Sequence, residues 1–280
     1  MLQRIISALV LAPLVLLIVW AGQPWTTIVV AAAVVISVRE ISCIFAAAGH
    51  HPRRTSYVAA LGFLAAAVLD RYSAIDLAGV ALAGAVLLTL VAELARADRS
   101  DSLRSWALTL AGAVYAGWLL CYFILLRDLS APPLRSHPLS ALAIEPGAAW
   151  VYLVFAVTWA SDTGAYFAGR ALGRHHMAPQ LSPKKTWEGF AGGLLASVGA
   201  GIGMVPLLGL PVSLLAGALL GLLGGIFGTL GDLAESLLKR QAGVKDSGAL
   251  IPGHGGLLDR IDSMLFTGPV LYYAILLLTS

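Results

Sequence analysis

Apolar residues run through this chain in long blocks, and the polar residues collect in the gaps between them. One helical crossing of a bilayer needs about 17–25 predominantly apolar residues. On that ruler there are nine candidate spans, at 4–22, 25–48, 56–70, 75–95, 105–127, 149–170, 188–209, 212–240 and 262–279. The third is short and the second contains Arg39 and Glu40, so the edges of both are soft. Pro24, Pro52, Pro211 and the cluster Pro132, Pro133, Pro138 and Pro146 punctuate the gaps. The first run follows Arg4 and is longer than the apolar core of a signal peptide, so it reads as a retained first span. In the eighth span Gly217, Gly221, Gly224, Gly225, Gly228 and Gly231 mostly recur three or four residues apart, which predicts close helix packing in lipid. The pattern predicts an all-α, polytopic integral membrane protein with about nine transmembrane helices and no soluble domain.

Composition agrees with that reading. Hydrophobic residues make up 59% and charged residues 12%, against about 25% charged in a soluble domain. Cys43 and Cys121 both lie in apolar runs, where packing explains them better than a disulfide or a metal site. A net charge of +3 is small, and no nucleic-acid partner is expected. Its distribution says more. With the N-terminus inside, the cytosolic side holds Arg4, Arg53, Arg54, Arg96, Arg99, Arg104, Arg170, Arg174, Lys184, Lys185, Lys239, Arg240, Lys245 and Arg260. The opposite side holds Arg71, Arg127 and Arg135. The positive-inside rule then places the N-terminus in the cytosol and, with an odd number of spans, Ser280 outside.

The chemistry gathers in two blocks that this topology puts on the same cytosolic face. From Ser236 to Asp262 the chain collects Lys239, Arg240, Lys245 and Arg260, which can neutralise phosphates. The same stretch holds Asp246, Asp259 and Asp262, which can bind a hard divalent cation. Gly253, Gly255 and Gly256 surround His254 and let backbone approach a ligand. Asp259 and Asp262, three apart at the start of the last helix, share one helical face. Two carboxylates also favour a helix N-terminus without any metal, but the adjoining His-Gly-Gly turn and Lys245-Asp246 pair favour the metal. Asp232, Glu235, Ser236 and Lys239 form one polar stripe along the eighth span. An ionisable residue at membrane depth is a functional candidate by default, which applies to Asp232 and also to Asp162 in the sixth span.

In the other block, Ser182-Pro183 reads as a helix cap followed by proline at the first helical position. Lys184 and Lys185 would add charge to an end that already favours anions. Trp187 serves either as an interfacial anchor or in base stacking, and His254 either orders its loop or acts in catalysis. His175 and His176 read as a solvated loop. Asp162 lies eight residues before Arg170, and Asp232 seven before Lys239. At 1.5 Å per residue both carboxylates sit roughly 10–12 Å below a cationic rim, so helices six and eight are expected to line one site.

Two runs carry a family resemblance. One is Ser161-Asp162-Thr163-Gly164-Ala165-Tyr166 with Leu181 to Gly189. The other comprises Ser236, Lys239-Arg240, Lys245-Asp246, His254-Gly255-Gly256, Asp259-Arg260 and Asp262. Together they resemble the signature of the phosphatidate cytidylyltransferases, the CDP-diacylglycerol synthases. The similarity is tight over about residues 150–265 and is one of hydrophobic pattern over 1–145, so 1–145 is expected to be scaffold and 146–280 catalytic. The resemblance implies transfer of a cytidylyl group from CTP to phosphatidate, giving CDP-diacylglycerol and pyrophosphate, in the inner membrane. It implies Mg2+ held by Asp232, Asp259 and Asp262, allows a second cation such as K+, and implies a homodimer. Lys239, Lys245, Asp246, His254 and Arg260 are then expected in catalysis. Ser161, Asp162, Lys184, Lys185, Ser236, Arg240, Gly255 and Gly256 are expected to bind substrate. Two alternatives stand beside it: the same nucleotide chemistry on another lipid acceptor, and a transporter. A transporter should cluster its ionisable residues at the midplane between broken helices, whereas most charge here lies in two cytosolic loops.

Overall fold

The computed structural model describes residues 2–130, 132–251, 253 and 255–279. Among them are nine helices: α1 (Leu2–Ala21), α2 (Trp25–Ala47), α3 (Thr55–Leu69), α4 (Leu77–Leu94), α5 (Ser102–Arg127), α6 (Pro146–Leu172), α7 (Trp187–Leu208), α8 (Leu214–Gln241) and α9 (Leu258–Thr279). The nine apolar runs of the sequence thus become nine helices. Six of the described ones (α2, α4, α5, α7, α8 and α9) are long and apolar enough to cross a membrane. This is a multi-pass membrane protein. Its surface agrees, since Leu87, Leu195, Leu215 and Leu277 are each at least 63% exposed, as side chains facing acyl chains would be.

Local chemistry explains the helix ends. The Asp76 carboxylate accepts from the Gly79 N–H at 2.9 Å and caps α4. Proline occupies the first turn of α6, where its missing N–H costs nothing. Helix α7 stops at Gly209, whose φ of 64° is the left-handed conformation of a helix C-cap. Within α5, Val114–Trp118 forms a π turn.

Two compact units divide the chain, Met1–Leu125 with Leu238–Ile261, and Leu126–Leu237 with Asp262–Ser280. In unit one, Val34, Val38 and Ile41 line one buried stripe of α2 at helical spacing. Phe63 of α3 meets Trp118 of α5 edge-to-face, with ring centroids 4.8 Å apart. In unit two, Trp150, Leu153, Val154 and Val157 form the buried face of α6. Glycine lets α8 come close to its neighbours there. A Cβ on Gly231 would strike the Asp262 carbonyl, and one on Gly217 would lie 2.6 Å from a Val205 methyl.

One short element was not foreseen. Strands β1 (His176–Ala178) and β2 (Ser182–Thr186) pair antiparallel, with His176 opposite Thr186 and Ala178 opposite Ser182. Ser182 therefore does not cap a helix. The cap is Thr186, whose hydroxyl accepts from Gly189 N–H at 3.1 Å, and α7 begins one residue later. Pro183 is tolerated because a two-stranded ribbon is all edge. His175 is tied down, its Nδ1 lying 2.5 Å from Glu188 Oε1 while the Arg174 and His175 amides donate to Glu188 Oε2.

Candidate active site

Each unit holds a cluster that contains expected site residues. In unit one, the last turn of α8 presents Lys239 and the first turn of α9 presents Asp259. The Lys239 ammonium donates to Asp259 Oδ1 at 2.5 Å, and both side chains are largely buried. The other oxygen, Oδ2, accepts from Ser247 N–H at 2.8 Å, Ser247 Oγ at 2.9 Å and Gly256 N–H at 2.8 Å. Glu40, buried on α2, completes the cluster. Its carboxylate accepts from Leu257 N–H at 2.9 Å, Leu258 N–H at 2.8 Å and Ser247 Oγ at 3.1 Å.

In unit two, Lys185 of β2 reaches Asp232 of α8, Nζ to Oδ2 at 2.8 Å, bringing the first sequence block against the polar stripe of α8. Ser236 Oγ donates to Asp232 Oδ1 at 3.3 Å. Glu235, one turn along α8, has no exposed surface. It meets the Asp262 carboxyl group in a hydrogen bond, and the charges of Asp232 and Glu235 both bear on Asp262. Asp262 Oδ1 also accepts from Ser263 N–H at 2.7 Å. Three carboxyl groups and one lysine therefore share this corner. Among the described residues no three His, Cys, Asp or Glu side chains stand as a ready metal cage.

The remaining expected site residues divide by exposure. Asp162, Lys184, Lys245, Asp246 and Arg260 are exposed, whereas Ser161 is buried where α6 meets Gly193 of α7. Arg240 donates to the Val244 carbonyl at 3.0 Å, closing the end of α8. His254 lies outside the described residues. The glycines of the turn have a duty beyond approaching a ligand. A Cβ on Gly256 would lie 2.6 Å from Glu40 Oε1, and one on Gly255 would lie 2.5 Å from Asp259 Oδ2. They make room for carboxylates.

Sequence reasoning missed two roles. Glu40 registered only as a charge that blurred the edge of a span, and Glu235 only as part of a stripe. The signal that flagged Asp232 applies equally to both, because each is a carboxylate at membrane depth.

The fold and these clusters define a class: a multi-pass membrane protein with buried and half-buried lysine–carboxylate clusters among its helices. The profile of the cytidylyltransferase family matches residues 2–278, and the chain belongs to that family. Similarity thus extends across the N-terminal helices, where the sequence alone offered only a hydrophobic pattern. The chain is 37% identical over 289 residues to a phosphatidate cytidylyltransferase of Synechocystis sp., covering 99% of this chain and 97% of that one. It is 35% identical over 277 residues to the phosphatidate cytidylyltransferase of Brucella suis, covering 96% and 91%. With the phosphatidate cytidylyltransferase of Bacillus subtilis it shares 41% identity over 170 residues, 61% of this chain and 58% of the relative.

Proposed function

We propose that this chain transfers the cytidylyl group of CTP to phosphatidate, releasing pyrophosphate and leaving CDP-diacylglycerol in the membrane. The observation that carries this reading is the 2.8 Å contact between Lys185 and Asp232, which sets a lysine of the first motif block against the carboxylates at the polar stripe of α8. A phosphatidate oxygen attacks the α-phosphorus of CTP. The new P–O bond forms as the bond from that phosphorus to the α,β-bridging oxygen of CTP breaks, and that oxygen leaves as a terminal oxygen of pyrophosphate. No protein nucleophile is required, so the residues act by position and charge. Lys184, Lys185, Lys239, Arg240 and Lys245 neutralise phosphate oxygens, and the leaving group gains most from them. The acyl chains stay in the bilayer while the headgroup enters, which accounts for an enzyme built of spans.

Asp232 and Asp262 fit a hard divalent cation by donor chemistry, because Mg2+ is commonly held by one or two carboxylates together with substrate phosphates. Bound there, Mg2+ would supply charge neutralisation on the phosphates. Asp259, the third expected ligand, engages Lys239 and Ser247 and serves the loop. The reading also includes a homodimer in the inner membrane, with the N-terminus and both motif blocks cytosolic on the strength of the lysine and arginine distribution.

The test is purified protein with phosphatidate and each of the four nucleoside triphosphates, monitoring pyrophosphate and lipid product, with Mg2+ and K+ each supplied or withheld. Formation of CDP-diacylglycerol from CTP alone, dependent on Mg2+, is expected. Turnover only with an isoprenoid lipid phosphate would change the acceptor, and solute uptake without pyrophosphate would sink the reading. Orientation is tested by cysteines placed at the exposed Lys184 and Lys245 in a background lacking Cys43 and Cys121. Labelling from the outer side would reverse it.

A further inference from the structure

We infer that Glu40 is a positioning residue for the reaction, holding the Ser247–Leu258 loop and the start of α9 so that Lys239 and Asp259 meet in working geometry. A helix leaves its first N–H groups unpaired, and a polar side chain at the cap ordinarily satisfies them. The residue before α9 is Leu257, which has nothing to offer. The carboxylate of Glu40 replaces the missing cap from more than two hundred residues away, taking Leu257 N–H on Oε1 and Leu258 N–H on Oε2. Its negative charge also suits the positive end of the helix.

The second half of the argument is Ser247. Its hydroxyl stands between Glu40 Oε2 at 3.1 Å and Asp259 Oδ2 at 2.9 Å. Its one proton is shared between the two carboxylates, the Ser247 N–H holds Asp259 as well, and Gly256 N–H ties the end of the loop to Asp259. Gly248 and Gly256 leave the space, since a Cβ on either would lie within 2.8 Å of Glu40 Oε1. Burying a carboxylate in a membrane helix is costly unless its lone pairs are met. Here three donors meet them, all from the loop or the helix start. Glu40 thus acts on the site through the backbone it fixes, and touches neither substrate nor reacting atoms.

This inference rests on the reading that Lys239 and Asp259 serve the reaction, and the experiment separates the two. Glu40→Gln keeps size and shape but turns an NH2 toward donors it cannot accept from. A misplacement of about 1 Å near the chemistry can lower turnover about 10²-fold. Glu40→Gln should therefore lose about 10²-fold in kcat while KM for CTP moves less than about threefold, the mark of lost alignment rather than lost binding. A cysteine at the exposed Leu250 should be alkylated faster in that background, reporting a freed loop. Ser247→Ala removes one of the three bonds without touching Glu40 and should show a smaller loss of the same kind. Glu93→Gln is the control: a buried carboxylate of the same unit, bonded to Ser105 and Arg96 away from the loop. It should lower the melting temperature with no change in the labelling of Leu250→Cys or in the kcat of folded protein. Wild-type kcat in Glu40→Gln overturns the proposal. So does a loss that tracks melting temperature equally in Glu40→Gln and Glu93→Gln. Full activity in Asp259→Asn sinks the underlying reading of the site, and the proposal with it.

Discussion

Two carboxylate clusters of similar composition solve opposite electrostatic problems. In unit one every acidic oxygen has donors: Asp259 takes Lys239, Ser247 and Gly256, and Glu40 takes two backbone amides and a hydroxyl. In unit two acid faces acid. Asp262 meets Glu235 and feels Asp232, and Lys185 is the cation paired with Asp232. A satisfied cluster is a fastening. A crowded one raises the free energy of the empty protein and lowers it once a cation or a cation-bearing substrate arrives. The difference assigns fastening to the carboxylates of the first cluster and cation binding to those of the second.

The contrast is sharpest in the paired substitutions Asp262→Asn and Asp259→Asn. Removing Asp262 takes a carboxyl group, and a cation ligand, from the crowded cluster, so turnover should fall by at least about 10²-fold. The melting temperature without Mg2+ should hold or rise, as happens when a site trades stability for function. Activity and thermal unfolding measured on one preparation decide it. A fall in both would make unit two a fastening as well.

Asp259→Asn should lower both. Breaking a buried ion pair from one side costs about 3–5 kcal/mol, because the partner charge stays behind, here Lys239 at 8% exposure. Turnover should drop about 10²-fold as the loop loosens. A stable, inactive Asp259→Asn would move this residue into the ligand-binding class and erase the distinction.

Lys185→Met should have a smaller effect. Its pair with Asp232 is partly exposed, 23% and 34% by side chain, so its removal should cost less than about 1 kcal/mol in stability. Since Lys185 is read as a phosphate contact, KM for CTP should rise about tenfold. An unchanged KM with lower kcat would make it a partner of Asp232 only.

The sequence revealed the elements more fully than their pairing. Every apolar run became a helix, with ends displaced by no more than four residues, because bilayer thickness leaves little freedom in length. The Lys185 and Asp232 contact lay between a block and a helical stripe already marked as chemical. Ser182-Pro183 misled because a cap signal is local and a hairpin register is not, and Thr186 offered an equally good cap four residues on. Glu40 stayed hidden for a related reason. Its partners lie 207–218 positions away, and nothing in the composition of α2 announces them. Asp232 was legible because lysine, serine and glutamate stand on its own helix.

The smallest effect concerns shape alone and tests whether the fastening is as tight as its hydrogen bonds imply. Gly256→Ala adds one methyl group 2.6 Å from Glu40 Oε1, inside a loop already bonded at both ends. Forcing an extra carbon into packed surroundings costs about 1–3 kcal/mol. Gly203 of α7 supplies the comparison, because an added Cβ there meets nothing within 4 Å. Alanine is favoured over glycine in a helix by about 1 kcal/mol, so Gly203→Ala should melt at the wild-type temperature or slightly above. Gly256→Ala should melt lower and lose part of its turnover, because the loop can admit the methyl only by pulling away from Glu40. Equal melting temperatures for the two variants would mean that the loop yields freely. Glu40 would then be capping a helix without holding the site.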